Sequence, residues 1–132
     1  KDFAHAPSKV RATTRAVKEQ YPDRKLIACL ELHTYSSFNP EFLKEYKGAM
    51  DMADIAAVFY LPESVAIKGL KEVSPQQIDA AFGRSDLRVF TNAKTFHEFV
   101  YGQDYSDSVL LLMSSGNYGG LDMEAVKRHI VP

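Results

Sequence analysis

The 132-residue sequence contains no tryptophan and a single cysteine, Cys29. One cysteine cannot form an internal disulfide, which is typical of a protein from a reducing compartment such as the cytoplasm. The residues around it, Ile27-Ala28 and Leu30, are apolar, so we expect Cys29 to be a small core residue and not a nucleophile. The sequence also lacks a secretory start and an apolar run near the length of a membrane span, so we expect no membrane partner.

The sequence also lacks an excess of either positive or negative charge. The formal net charge is -1 at pH 7 and no run of Lys or Arg occurs, which argues against nucleic acid as a partner. The sequence has no G-x-x-x-x-G-K-[ST] and no H-E-x-x-H, so these residues hold no P-loop and no zinc-protease motif. A hydrophobic content of 45% is ordinary for one globular domain with its own core.

Apolar runs alternate with amphipathic segments along the chain. Strands are predicted at 25–32, 54–61, 87–90 and 108–113, with an ambiguous short strand at 65–67. Helices are predicted to follow Ala6, Asn39, Ser74, Asn92 and Asp122, where a capping residue or a proline precedes apolar residues at helical spacing. This alternation predicts a three-layer, Rossmann-like α/β domain, with a mostly parallel sheet and helices on both faces.

Three polar segments stand where ligands collect in such folds. They are 2–8, directly before the first helix, 33–37, after the first strand, and 114–120, after the last strand. Because ligands bind beyond the carboxyl ends of parallel strands, we expect the three segments to meet at one edge of the sheet.

The first segment, Asp2-Phe3-Ala4-His5-Ala6-Pro7-Ser8, precedes a helix whose free N–H groups attract anions, phosphate above all. Asp2 and His5 are therefore candidate phosphate-site residues; alternatively, Asp2 caps the turn and His5 is an ordinary loop histidine. A strand normally precedes such a loop in α/β folds, so we expect the chain to be a piece of a longer protein.

The other two segments allow more than one interpretation. His33 either contacts a ligand or is satisfied by a backbone carbonyl, and the glycine-rich 115–120 permits positive φ and close backbone approach. Asp2, His5 and His33 together could hold a metal, but the sequence has no close pair of histidines, so we predict no metal site. His97 and His129 are interpreted as surface or packing residues.

The segments together resemble the C-terminal domain of the Mur ligase family, ATP-dependent amide-forming enzymes of peptidoglycan synthesis. Asp2-Phe3-Ala4-His5-Ala6-Pro7 resembles the family motif D-[YF]-[AG]-H-x-P, which folylpolyglutamate synthases share. Leu32-His33-Thr34-Tyr35-Ser36 lies where the alanine-adding members carry H-R-Y-[ST]. Met113-Ser114-Ser115-Gly116-Asn117-Tyr118-Gly119-Gly120 is most like the M-S-N-G-G-F-G-G loop of the branch that recycles murein peptides.

The resemblance implies that residues 1–132 are the third domain of a cytoplasmic ligase whose N-terminal UDP-sugar domain and central ATPase domain lie outside this sequence. The implied enzyme joins UDP-N-acetylmuramate to a murein tripeptide through an acyl phosphate, in peptidoglycan recycling. The third domain closes over ATP, while ATP and Mg²⁺ are bound mainly by the central domain. The implied partners are the protein's own other two domains, UDP-N-acetylmuramate and the peptide, and the isolated fragment is expected to be inactive.

By the same resemblance, Asp2 and His5 bind the nucleotide, and the substrate is contacted by His33, Thr34, Tyr35, Ser36, Asn117 and Tyr118. No residue of this domain is assigned to catalysis. Thr34 and Ser37 stand where alanine-adding members have arginines, which argues against free alanine as the substrate. The C-terminal domain of an alanine-adding ligase or of a folylpolyglutamate synthase, a metal-dependent hydrolase, and a non-catalytic module that binds nucleotide or peptide remain alternatives.

Overall fold

The computed structural model describes residues 7–32, 43–61, 75–114, 118 and 120–130. Its helices are α1 (Pro7–Gln20), α2 (Pro75–Phe82), α3 (Ala93–Tyr101) and α4 (Met123–Ile130), with a 3₁₀ helix at Lys44–Tyr46. Its strands are β1 (Lys25–Glu31), β2 (Ile55–Phe59), β3 (Arg88–Phe90) and β4 (Ser108–Met113). Among these residues no helix combines the length and the apolar character needed to cross a membrane.

The four strands of the described residues form one parallel sheet in the order β3-β2-β1-β4. Leu30 of the central strand β1 lies opposite Val58 of β2 on one side and Met113 of β4 on the other. β1 is buried from Leu26 to its end, because a central parallel strand is covered on both faces and needs apolar side chains on both. The predicted α/β class and parallel sheet are confirmed.

Successive β1 side chains point to opposite faces of the sheet and supply two separate hydrophobic clusters. Leu26 and Leu30 pack on the face covered by α1 and α2, whereas Ile27 and Cys29 pack on the face covered by α3 and α4. The helices contribute Val10, Ile78 and Phe82 to the first cluster and Phe96, Phe99 and Val126 to the second. The molecule therefore has the three layers that the sequence predicts.

Capping residues set the helix boundaries where the sequence places them. The Asn92 side chain accepts a hydrogen bond from the Thr95 amide at 3.2 Å at the start of α3. The Asp122 carboxylate accepts two amide hydrogen bonds, at 3.0 and 3.1 Å, in the first turn of α4. α2 ends at Gly83, whose φ of +65° is a conformation that glycine adopts without strain.

Among the described residues, the segment before β2 differs from the helix predicted after Asn39 only from Lys44 onward. Leu43 is α-helical and a 3₁₀ helix and turns follow it, because Gly48 adopts a φ of +75°, which an α-helix cannot contain. The predicted inner residues Leu43, Met50 and Ala53 are nevertheless buried. The proposed start at Asn39-Pro40 and the ambiguous strand at 65–67 lie outside the described residues.

Candidate functional site

The candidate site is the edge of the sheet where the parallel strands have their carboxyl ends. Of the predicted site residues, Tyr118 is described. Asp2, His5, His33, Thr34, Tyr35, Ser36 and Asn117 lie outside the described residues. The described part of the chain therefore defines the framework next to these residues in sequence, and their own roles stay predictions.

α1 runs antiparallel to the strands, which brings its N-terminus to this edge. At its C-terminal end, Lys18 donates hydrogen bonds to the Asp54 carboxylate at 2.8 Å and to the Arg24 carbonyl at 2.9 Å, at the amino ends of β2 and β1. In its middle, the Thr14 hydroxyl lies 3.9 Å from the sulfur of Met113, the last residue of β4. Pro7, two turns earlier, therefore lies toward the carboxyl ends, so the N–H groups of the first helical turn are at the predicted edge.

A buried carboxylate joins the ends of β1 and β4. The side chain of Glu31, the last residue of β1, is only 3% exposed. It accepts a hydrogen bond from the hydroxyl of Ser114, directly after β4, and a second at 3.1 Å from the Tyr118 amide. This arrangement connects the two strands from which the second and third polar segments depart.

The Tyr118 ring lies in the core, with no exposed surface. It stacks on Phe96 of α3 with centroids 5.1 Å apart, and its hydroxyl lies 2.8 Å from the Cys29 carbonyl and 2.7 Å from the Met113 carbonyl. Burial raises the pKa of this hydroxyl well above its ordinary value, so it remains a hydrogen-bond donor. Its proposed substrate contact stays a prediction, and the structure places its side chain on the inside of the domain.

The backbone of Tyr118 is held in an uncommon conformation from both sides. Its φ is +56°, which costs free energy for a residue with a Cβ. Besides the amide bound by Glu31, its carbonyl accepts a hydrogen bond at 2.9 Å from Nε2 of His97, which must carry the proton because a carbonyl only accepts. His97 therefore orients this backbone, a role that the sequence did not indicate.

Sequence reasoning missed Glu31 and Ser114 as well. The available signal was a carboxylate inside the apolar run 25–32, since a charged residue in a strand buried on both faces needs a specific partner. The sequence does not indicate which residues bind this carboxylate, because Ser114 and Tyr118 lie 83 and 87 residues further along the chain.

Neither a metal cluster nor a reactive thiol occurs in the part of the chain that the structure describes. No group of three or more His, Cys, Asp or Glu side chains among these residues could hold a metal ion. Burial raises the pKa of the Cys29 thiol to about 12, so the thiolate needed for nucleophilic attack is not formed near neutral pH. The prediction that Cys29 is a core residue is confirmed.

Comparison with known proteins shows which class of domain the chain resembles. No family model matches the chain. The fold, however, is that of Mur ligase C-terminal domains, and the sequence is similar to that of Mur ligases. The predicted family resemblance is thus confirmed by the fold and by the sequence.

The particular proteins to which the chain is similar are two kinds of ligase. It is 28% identical over 118 residues, 88% of this chain, to the UDP-N-acetylmuramate–L-alanine ligase of Pediococcus pentosaceus, of which it covers 25%. It superimposes on a murein peptide ligase from Psychrobacter arcticus with a TM-score of 0.72 and 19% identity, covering 99% of this chain and 27% of that one. A domain assigned to a UDP-N-acetylmuramate:L-alanyl-γ-D-glutamyl-meso-diaminopimelate ligase from Haemophilus ducreyi gives 0.62 and 19%, with 97% and 87% covered.

The chain spans about a quarter of the length of the full-length ligases it matches. It covers nearly all of the Haemophilus ducreyi domain.

Proposed function

We propose that residues 1–132 form the third, C-terminal domain of an ATP-dependent ligase that joins UDP-N-acetylmuramate to the amine of a murein tripeptide. In this proposal the UDP-sugar domain and the central ATPase domain belong to the same parent protein, which acts in the cytoplasm. The domain closes over the nucleotide and helps to hold the incoming amine. The chain's likeness to murein peptide ligase over 99% of its length supports this assignment.

The observation that carries the proposal is that the ends of three described elements lie toward one edge of the sheet. The N-terminus of α1 and the carboxyl ends of β1 and β4 lie together, and Glu31 bonds the last two to each other. Each of these ends is adjacent in sequence to predicted site residues. An edge with free helix N–H groups beside two polar loops suits a phosphate-bearing ligand and a second substrate next to it.

The reaction implied by the resemblance needs positioning and charge stabilisation from this domain. The muramoyl carboxylate takes the γ-phosphoryl group of ATP, which forms an acyl phosphate and releases ADP. The amine then attacks the acyl carbon, and inorganic phosphate leaves while the amine loses a proton. We assign Asp2 to the nucleotide's ribose region and His5 to its phosphates, next to the first turn of α1. As the resemblance implies, the proposal assigns Mg²⁺ mainly to the central domain, where it would neutralise phosphate charge.

The nature of the acceptor separates two candidate functions. Thr34 and Ser37, in place of the arginines of alanine-adding ligases, favour a peptide, and so does the structural likeness to murein peptide ligase. Similarity in sequence to UDP-N-acetylmuramate–L-alanine ligases favours free alanine as the second candidate.

The test is an assay of the complete parent protein with ATP, Mg²⁺ and UDP-N-acetylmuramate. We expect phosphate release that depends on L-alanyl-γ-D-glutamyl-meso-diaminopimelate and not on alanine. Turnover with alanine would replace the first candidate by the second, and turnover of a folate with glutamate would point to a folylpolyglutamate synthase. A parent protein without a P-loop that only binds nucleotide or peptide would contradict both.

The 132-residue chain alone is expected to release no phosphate in the same assay, because the proposal places the P-loop and the UDP-sugar site in other domains. Adding this chain to a parent protein truncated before Asp2 provides a control for its integrity. Ligase activity from the chain alone would contradict the proposal that the P-loop and the UDP-sugar site lie in other domains.

A further inference from the structure

Glu31 is the one buried charged side chain among the residues that the structure describes. It follows Ile27 and Cys29 on the face covered by α3 and α4, where an apolar residue would satisfy the strand pattern. Burying a carboxylate costs several kcal/mol unless hydrogen bonds compensate it, and buried charges often add little net stability even when they are paired. Packing alone therefore does not account for this residue.

The contacts of Glu31 connect two strands at the predicted site. One carboxylate oxygen receives both the Ser114 hydroxyl and the Tyr118 amide. The second contact helps to hold Tyr118 at its φ of +56°, and His97 fixes the carbonyl of the same residue. A carboxylate can accept both hydrogen bonds at once, whereas a leucine at this position could accept neither.

We propose that Glu31 is a positioning residue for acceptor binding: it fixes the carboxyl end of β4, and the Tyr118 backbone after it, against the carboxyl end of β1. This inference rests on the proposed function, since the residues predicted to contact the acceptor follow these two strands. The residues predicted to contact the nucleotide, Asp2 and His5, precede α1, which Glu31 does not contact in the described structure. Loss of Glu31 therefore weakens acceptor binding and spares ATP binding.

The first test measures the geometry and needs no ligase activity. Amide hydrogen exchange at Tyr118 is followed by NMR in the 132-residue chain, in Glu31→Leu, Glu31→Gln and Ser114→Ala. We expect exchange at Tyr118 at least tenfold faster in Glu31→Leu and close to the parent rate in Glu31→Gln, whose amide oxygen still accepts. Ser114→Ala leaves the contact between Glu31 and the Tyr118 amide in place, so we expect the exchange rate at Tyr118 to stay close to the parent rate. If Glu31→Leu fails to fold, this rate is still measured in Ser114→Ala and Glu31→Gln. Unchanged exchange in Glu31→Leu, or equally fast exchange in Ser114→Ala, overturns the inference.

Asp54→Asn is the matched control. Asp54 also accepts hydrogen bonds from one side chain and one backbone amide, those of Lys18 and Leu26, but at the opposite edge of the sheet. We expect it to leave the exchange rate at Tyr118 unchanged. Faster exchange at Tyr118 in Asp54→Asn would show that any loss of stability produces the effect, and would also overturn the inference.

The second test uses the parent ligase and separates the two substrates. We expect Glu31→Leu to raise the KM for the amine acceptor at least tenfold with the KM for ATP within twofold, and Glu31→Gln to restore most of the acceptor affinity. Equal increases in both KM values, or none, would contradict the inference. If the parent protein has no ligase activity at all, the proposed function fails, while the exchange measurement still decides whether Glu31 holds this backbone.

Discussion

At the scale of single residues, Tyr118 shows how one side chain fixes the chain after the last strand. Its ring fills the core against Phe96, and its hydroxyl bonds carbonyls at the end of β4 and within β1. The Tyr118 side chain therefore supports the shape of the edge from inside, while its backbone lies between Glu31 and His97.

Tyr118→Phe is expected to lower the free energy of unfolding by about 1–2 kcal/mol, because it removes the buried donor from two carbonyls and keeps the ring. Urea or guanidinium unfolding of the 132-residue chain measures the change. Tyr21→Phe, which alters a tyrosine that is 38% exposed, serves as the control and should change the free energy by less than about 0.5 kcal/mol. Equal effects of the two substitutions would show that the Tyr118 hydroxyl does not stabilise the fold.

His5 carries the residue-scale prediction about function. In the parent ligase, His5→Ala is expected to lower kcat/KM at least tenfold, on the order of 1.4 kcal/mol of transition-state stabilisation, because the proposal places His5 at the phosphates. His129→Ala is the control, since His129 lies in the last turn of α4 against Tyr101 and Tyr105. An unchanged kcat/KM would remove His5 from the site.

At the scale of elements, Asp54 fastens α1 to the amino ends of β1 and β2. Its carboxylate accepts hydrogen bonds from Lys18 at 2.8 Å and from the Leu26 amide at 2.7 Å. The hydrogen bond from Lys18, followed by that from Leu26, lowers the pKa of Asp54 below its ordinary value. The orientation of α1, and with it the placement of its N-terminus at the candidate site, depends on this contact and on the packing of Val10 and Thr14.

The lowered pKa of Asp54 predicts how the stability of the chain depends on pH. A carboxylate whose pKa is lower in the folded state stabilises that state above its unfolded pKa, near 4, and the contribution is lost as the pH falls through the folded pKa. The difference in unfolding free energy between the parent chain and Asp54→Asn should therefore be constant from pH 7 to 5 and shrink as the pH falls below the unfolded pKa, near 4. Denaturant unfolding at each pH measures it.

Glu19→Gln is the control for this series. It removes the partner of Arg15 in an exposed ion pair on the same helix, where such pairs contribute between about 0 and 1 kcal/mol. A difference for Asp54→Asn that does not shrink below pH 4 would show that Asp54 stabilises the fold by something other than its charged form.

At the scale of the whole molecule, the strand order β3-β2-β1-β4 decides which parts of the chain meet at the candidate site. Placing the last strand beside the first brings together segments that are more than 80 residues apart in sequence. The N-terminus of α1 reaches the same edge because the helix returns antiparallel to the strands. A ligand at this edge would contact several parts of the chain at once, which agrees with the proposal that the domain closes over substrates held by other domains.

Much of the fold could be predicted from local patterns. Pro7, Asn92 and Asp122 marked helix starts correctly, and the apolar runs located β1, β2, β3 and β4 to within one or two residues at each end. The helix predicted after Asn39 gives way to a 3₁₀ helix and turns from Lys44 onward, next to Gly48 at positive φ, and periodicity does not report φ. For the candidate site, the sequence located the polar segments at the strand ends but not the side chains that tie those ends together.

The sequence by itself determined the elements and the layers, because side-chain periodicity and capping act over a few neighbouring residues. The family motifs added the proposed chemistry. Only the tertiary structure decided that Glu31, Ser114, Tyr118 and His97 form one buried network, since a hydrogen bond between distant residues depends on strand order and register. It also decided that the Tyr118 ring points into the core, because a positive φ redirects a side chain in a way that residue identity does not specify.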